Sequence, residues 1–296
     1  MTRAKRKIEA DLKLVDLVIE LLDARCPKAS ENPDIKKLTS GKKRLVLLNK
    51  SDLADERATA EWTDYFAEQG IKAIPLDSRG RDSIEKVKKS AAELTKEKRE
   101  KERAKGIIGD RPLRAMILGI PNVGKSTFIN SMLGKASAKT GNKPGVTKGN
   151  QWININNDLL LLDTPGVLWP KFDDPETAVC LAEIGSISDQ VIQQEELSVK
   201  LLDYLYEHYR ERLFERFGIS EEAFAEKKDA MNVEVLGVSV TALALMDLIA
   251  AKRGCIKKKA EPDYERCAKM LLEEFRSGKL GRISLQRPEG RKKEEA

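Results

Sequence analysis

The sequence holds a single histidine, His208, and only four cysteines, Cys26, Cys180, Cys255 and Cys267, none of them in a Cys-x-x-Cys pair. That scarcity argues against a zinc centre and a disulfide framework, and a reduced cytoplasmic setting is expected. A long uninterrupted hydrophobic run is missing too. The most apolar stretch, residues 233–252, carries Glu234 and Asp247 and is broken by Gly237 and Ser239, so it reads as a buried helix and not as a membrane span. The N-terminus is basic, but Glu9 and Asp11 arrive before any apolar signal core could form, and no export is expected. Charge, by contrast, is plentiful. Charged residues make up 34% of the chain, and Lys+Arg exceed Asp+Glu by 54 to 48, a formal net charge of +6. A polyanionic partner is compatible with that balance but not required by it.

A chain of 296 residues with 41% hydrophobic residues suggests two domains. Residues 15–25, 43–50, 71–78 and 113–120 are short apolar runs bounded by polar breakers, as buried parallel strands should be. Between them, residues 55–70 have helical spacing with Trp62 and Phe66 near one face, and residues 82–106 begin as an amphipathic helix and end in a charge run. That run reads as a solvated helix and linker in preference to a dedicated RNA contact. After residue 176 the strand-like runs stop and helical ones follow. The expected architecture is therefore α/β, with a mostly parallel sheet over residues 1–175, an all-α domain over residues 176–285, and a charged, disordered tail over residues 286–296.

Gly119–Ser126, "GIPNVGKS", fits the P-loop pattern in its required context, after a strand and before a helix. Its glycines let successive N–H groups of Asn122, Val123, Gly124, Lys125, Ser126 and Thr127 face an anion at the helix N-terminus. Lys125 would reach the β- and γ-phosphates and Ser126 would ligate Mg²⁺. Thr147, in the glycine-containing stretch 142–149, falls where a first switch closes over Mg²⁺ and the γ-phosphate. Asp163-Thr164-Pro165-Gly166 ends another apolar strand. The Asp163 carboxylate would approach the metal through water, and Gly166 would offer an N–H to the γ-phosphate.

A second constellation precedes the first in the chain. Asn49-Lys50-Ser51-Asp52 ends the strand at 43–50. The Asp52 carboxylate matches the N1–H and N2–H₂ donors of guanine, where adenine would present an acceptor at N1. Asn49 can bridge toward the N7 and O6 side, and the Lys50 stem can cover the base. Asp77 and Ser78 stand where a loop backbone touches O6. The usual order places the phosphate loop before the base reader. The reversed order here is a circular permutation of the same sheet, with the strand at 15–25 supplying the element otherwise missing.

With "DARCP", "NKSD", "GIPNVGKST", "PGVT" and "DTPGVLWP" in this order, nearly the whole chain resembles the ribosome biogenesis GTPase A (YlqF/RbgA) family of circularly permuted GTPases. The resemblance implies GTP hydrolysis to GDP, Mg²⁺ as cofactor, and a role in assembly of the large (50S) ribosomal subunit, from which the protein is released after hydrolysis. It also implies rRNA and ribosomal proteins as partners, with neither DNA nor membrane, and a monomer is expected. Asn122 matches the asparagine that helps hold K⁺ in potassium-stimulated GTPases, and a plain loop-stabilising role stays open beside that one. An organellar ribosome-assembly GTPase and a GTP-dependent RNA-binding scaffold with negligible turnover are the alternatives.

The family places a histidine just ahead of the basic N-terminal segment. This sequence begins directly before "TRAKRK" without it, which suggests a truncated or mis-started form, and His208 lies too deep in the helical region to replace it. Val167 stands where many GTPases carry a water-orienting glutamine.

Overall fold

The computed structural model describes residues 2–106, 111–134, 151–156, 158–165, 174–188, 193–231, 239–258 and 261–289. Helix α1 (Thr2–Leu12) leads into β1 (Leu17–Asp23), every residue of which is buried. The short helices α2 (Pro27–Ser30) and α3 (Pro33–Leu38) follow, each with a proline in its first turn. Sequence reasoning assigns nothing there, because each helix is too short to show a 3.6-residue period.

Strand β2 (Lys43–Asn49), helix α4 (Glu56–Glu68), strand β3 (Lys72–Leu76) and the long helix α5 (Arg81–Ala104) continue the alternation. Next come β4 (Leu113–Gly119), α6 (Lys125–Leu133), β5 (Gln151–Asn156) and β6 (Leu159–Asp163). Helix α4 begins where Asp55 accepts from the Ala58 N–H at 2.9 Å.

The strand order is β3-β2-β1-β4-β6-β5, with every pairing parallel except β5–β6. The mostly parallel α/β sheet expected from the sequence is thus the one observed. Strand β1 joins the two halves of the domain, pairing with β2, which ends at Asn49, on one side and with β4, which enters the glycine loop, on the other. Register matters here: Asp23 lies opposite Asn49, Leu21 opposite Gly119, and Ile117 opposite Asp163. The carboxyl ends of four strands therefore finish along one edge, where α/β sheets build their sites.

One sheet face is covered through Ile8 and Leu12 of α1, Ile35 of α3, and Trp62 and Phe66 of α4, packed on Val18, Leu22, Val46, Leu48 and Met116. Glu20 is a buried charge on central β1, held by Arg44, which also bonds Glu31 at 3.1 Å. Burying a carboxylate there is tolerable only because the guanidinium accompanies it.

The chain divides into two compact units, Met1–Ala178 together with Gln286–Ala296, and Val179–Leu285. Helix α7 (Pro175–Glu183) runs across the boundary. The second unit contains α8 (Gln194–His208), α9 (Arg210–Phe217), α10 (Glu221–Asp229), α11 (Val240–Arg253) and α12 (Tyr264–Ser277). Among the described residues it carries no strand, only an isolated bridge between Ile256 and Pro262. Helix α11 is the buried helix expected from the apolar stretch, beginning at a Ser239 cap and ending at Gly254 with φ +65°. His208 packs against Tyr204, ring centroids 4.4 Å apart.

The tail differs from expectation at its start. Gln286 returns to the first unit, accepting from Trp62 Nε1 at 3.1 Å through its carbonyl and from the Ala29 N–H at 2.9 Å through its side chain. Arg287 adds a bond to Glu61 at 2.5 Å. Composition suggested disorder because polar residues gain little by burial; a few specific hydrogen bonds to a packed indole and a helix N-terminus supplied the reason to dock. Residues 290–296 lie outside the described set.

Candidate functional site

The glycines of the P-loop are there for backbone reasons. Gly119 has φ +152° and a Cβ on it would come within 2.7 Å of the Leu21 carbonyl; Gly124 has φ +103° and its Cβ would sit 2.3 Å from Asn49 Nδ2. Asn122 also lies in the left-handed region, at φ +58°. These conformations turn the loop from β4 into α6 so that Gly124 caps the helix.

Lys125 is buried at 7% exposure, and its ammonium donates to the Gly119 carbonyl at 2.9 Å and the Ile120 carbonyl at 3.0 Å. Burial pushes its pKa down to about 8, against the pull of the nearby Asp163 carboxylate. The charged lysine therefore costs the folded protein stability below about pH 8, a cost relieved as pH rises toward the ordinary lysine value of 10.5. Phosphate binding needs the ammonium charged. Between neutral pH and about pH 9, triphosphate binding should change from proton-neutral to the uptake of up to about one proton. Calorimetry in buffers of differing ionisation enthalpy reads this directly, and no proton uptake near pH 9 would contradict the depressed lysine.

Asn49 is 2% exposed and is spent internally. Its Nδ2 donates to the Val123 carbonyl at 2.7 Å, and its Oδ1 accepts from Ser78 Oγ at 2.6 Å and the Ser78 N–H at 3.2 Å. Sequence reasoning aimed this amide at the base. The structure uses it to tie the phosphate loop, the β2 terminus and the loop after β3 into one body.

Lys50, at φ +59°, bonds Asp23 Oδ2 at 3.0 Å. Asp23 in turn takes Arg25 in a fork, Nε to Oδ1 and Nη2 to Oδ2, both 2.8 Å. Burial alone would raise the Asp23 carboxyl, but the adjacent Arg25 and Lys50 charges hold it well below the usual carboxylate range. Asp23 and Arg25 entered the sequence reading only as part of "DARCP", with no role of their own. The available signal was two opposite charges at the end of a mostly apolar strand, a placement that only pairing makes tolerable.

Asp52 and Asp77 meet through Arg79, whose Nη2 donates to Asp52 at 2.5 Å while its Nε donates to Asp77 at 2.9 Å. The Arg79 N–H also donates to Asp77, at 2.9 Å. A guanidinium thus lies on the carboxylate suited to guanine's N–H donors. Since the Arg79 side chain is 69% exposed, the pair is weak, and Arg79→Ala should raise the association rate of a fluorescent GDP by a factor of roughly 2 to 5 while leaving dissociation unchanged. Stopped-flow fluorescence measures both; faster dissociation in the variant would instead place Arg79 on the bound nucleotide.

Asp163 is 1% exposed and ends β6 beside the P-loop strand. An oxygen ligand in that position, with the Ser126 hydroxyl at the start of α6, suits a hard divalent cation. Thr164 Oγ1 donates to the Ile117 carbonyl at 2.6 Å and fixes the strand end. Thr147, Gly166 and Val167 lie outside the described residues.

A family model described as "50S ribosome-binding GTPase" matches residues 114–231. The chain is 41% identical to Ribosome biogenesis GTPase A of Priestia megaterium, over 97% of this chain and 94% of that one. It belongs to the ribosome biogenesis GTPase A family. Its fold is similar to that of GNP-bound YlqF from Thermotoga maritima, with a TM-score of 0.60 at 30% identity over 97% of this chain and 99% of the other. A bovine relative, "Mitochondrial ribosome-associated GTPase 1", is 30% identical over 100% of this chain and 90% of its own length. As a member of the ribosome biogenesis GTPase A family, the protein is a GTP-hydrolysing enzyme of ribosome assembly.

Proposed function

We propose that the protein binds GTP with Mg²⁺, docks on the maturing large ribosomal subunit, and leaves it after hydrolysis. The observation that carries this reading is the Asn49 bridge, which joins the base-reading strand to the Val123 carbonyl of the phosphate loop at 2.7 Å and so makes one nucleotide site from two distant parts of the chain. In that site Asp52 reads the base, Lys125 and the P-loop N–H groups bind the phosphates, and Ser126, Thr147 and water-linked Asp163 hold Mg²⁺, with Gly166 donating to the γ-phosphate. Mg²⁺ would neutralise charge developing between the β- and γ-oxygens. Val167 supplies no hydrogen bond to orient water, so assistance comes from K⁺ at Asn122 and from docking on the particle. The 50S description of the matching family model supports the large subunit as partner. The higher identity to the bacterial relative than to the mitochondrial one, 41% against 30%, favours a bacterial-type setting.

The test is single-turnover GTP hydrolysis with 50S particles, 30S particles or neither, in K⁺ and in Na⁺, paired with co-sedimentation. The protein alone should turn over at about 10⁻⁴ to 10⁻³ s⁻¹, faster with 50S and K⁺, and Asn122→Ala should erase the K⁺ effect. Equal rates in every condition would overturn the reading.

A further inference from the structure

At the end of the sheet remote from the P-loop, the residues preceding β1, β2 and β4 enclose a pocket of about 320 Å³. Its floor is Asp16, 5% exposed, whose carboxylate is taken by Arg111 at 2.7 and 2.9 Å and by Lys98 at 3.0 Å. Burial would raise the Asp16 carboxyl, and these cations hold it well below the usual range. Glu102 is shared between the same two cations, 3.6 Å from each. Two carboxylates are thus consumed by Lys98 and Arg111, and Lys13, Lys42 and Arg114 line the same pocket in addition.

Lys42 donates to the neutral Val15 carbonyl at 2.9 Å. Burial and the adjacent Lys98 push its pKa down, against the pull of the Asp16 and Glu102 carboxylates. Arg114 leads out of the pocket, and its guanidinium stacks over the Trp152 ring at 5.8 Å. Trp152 sits on edge strand β5 with 41% of its surface exposed. A lone exposed indole is common. An exposed indole backed by the Arg114 guanidinium, with that arginine also lining a cationic pocket, has the two parts of a single-strand nucleic-acid site: charge for the backbone and a platform for a base.

We propose that the Asp16 pocket and the adjoining part of β5 bind single-stranded RNA, with a backbone phosphate at Lys42 and a base stacked on Trp152. Strand β1 carries the chain about 20 Å from the pocket at Asp16 to Asp23, so a phosphate held at Lys42 lies clear of the nucleotide site, while Trp152 on β5 pairs with Leu162, the residue before Asp163. The proposal rests on the reading that the protein works on an RNA-bearing particle, and names the surface that meets it. Single-stranded RNA is favoured over duplex because a stacking platform is useful only to an unpaired base.

The experiment is fluorescence anisotropy of the full chain with a labelled, mixed-sequence oligoribonucleotide, single-stranded or as a hairpin duplex, over a salt series, alongside GDP titrations. Lys42→Glu should weaken single-strand binding about tenfold and flatten the log–log salt slope by about 0.7 for every phosphate that the variant no longer neutralises. Trp152→Ala should weaken it about tenfold, leave hairpin binding unchanged, and be largely rescued by Trp152→Phe. Lys269→Glu, an exposed reversal on α12, should match wild type. GDP affinity should hold in every variant, reporting an intact fold. The proposal is overturned if wild type does not bind the single strand, if Lys42→Glu and Trp152→Ala bind as wild type, or if Lys269→Glu weakens binding as much. If the variants retain both single-strand binding and co-sedimentation with 50S, the surface assignment falls and the large-subunit reading stands; if wild type binds RNA through these residues but co-sediments with neither particle, the reverse holds.

Discussion

Asp52→Asn should lower GTP affinity by about 10²- to 10⁴-fold and turn preference toward xanthosine triphosphate. The magnitude follows from two charge-assisted hydrogen bonds, from guanine N1–H and N2–H₂, each contributing about 1.5 to 3 kcal/mol. An amide presents a donor where the carboxylate had only acceptors, which opposes the guanine 2-amino group and suits a 2-carbonyl. The structure adds a control. Asp52 is partnered by Arg79, which also holds Asp77, so the carboxamide will loosen Arg79 as well. The double variant Asp52→Asn with Arg79→Ala should therefore show the same loss of GTP affinity as Asp52→Asn to within about fivefold, because an exposed ion pair contributes at most about 1 kcal/mol. Direct titration with GTP and xanthosine triphosphate decides it. Unchanged GTP affinity would remove Asp52 from the base site.

Gly124→Ala should all but abolish nucleotide binding. An added methyl would sit 2.3 Å from Asn49 Nδ2, on a residue at φ +103°. Relief requires either moving the loop or displacing the Asn49 amide, and the latter breaks its bond to the Val123 carbonyl and disturbs its bonds from Ser78. Strain of about 1 to 3 kcal/mol at the backbone, together with about 1 to 3 kcal/mol for a buried amide left unsatisfied, amounts to a loss of roughly 10²-fold or more. Gly134→Ala is the comparison: it too has positive φ, +66°, but nothing lies within 4 Å of the added Cβ. Its cost should be confined to helix α6 stability, visible as a lower Tm with GDP affinity near wild type. If both alanine variants bind GDP alike, the contact between Gly124 and Asn49 has no functional weight.

Both predictions concern how separate pieces of chain meet, which local sequence conveys unevenly. The sheet was legible because its central strands are short apolar runs that end in polar breakers; buried on both faces, they could be little else. The P-loop was legible for the same local reason, since a strand, a glycine-rich turn and a helix follow one another within Leu113–Leu133. The circular permutation was legible from motif order alone. Helices α2 and α3 were not, since proline and an Asn32 cap, not periodicity, define them.

By itself, then, the sequence determined the α/β class, the order of the strands and longer helices, and the motifs expected to read phosphate and base, because each depends on residues close together in the chain. Only the tertiary structure decided what those residues do to one another. It made Asn49 the bond between two loops and Asp23 and Arg25 the support of Lys50, laid Arg79 across Asp52 and Asp77, and returned Gln286 to the Trp62 indole. The physical reason is that hydrogen bonds and ion pairs act over about 3 Å of space irrespective of separation along the chain. A composition that reads as solvated or disordered carries no trace of the single partner that parallel strand register, Asp23 opposite Asn49 and Leu21 opposite Gly119, brings within reach.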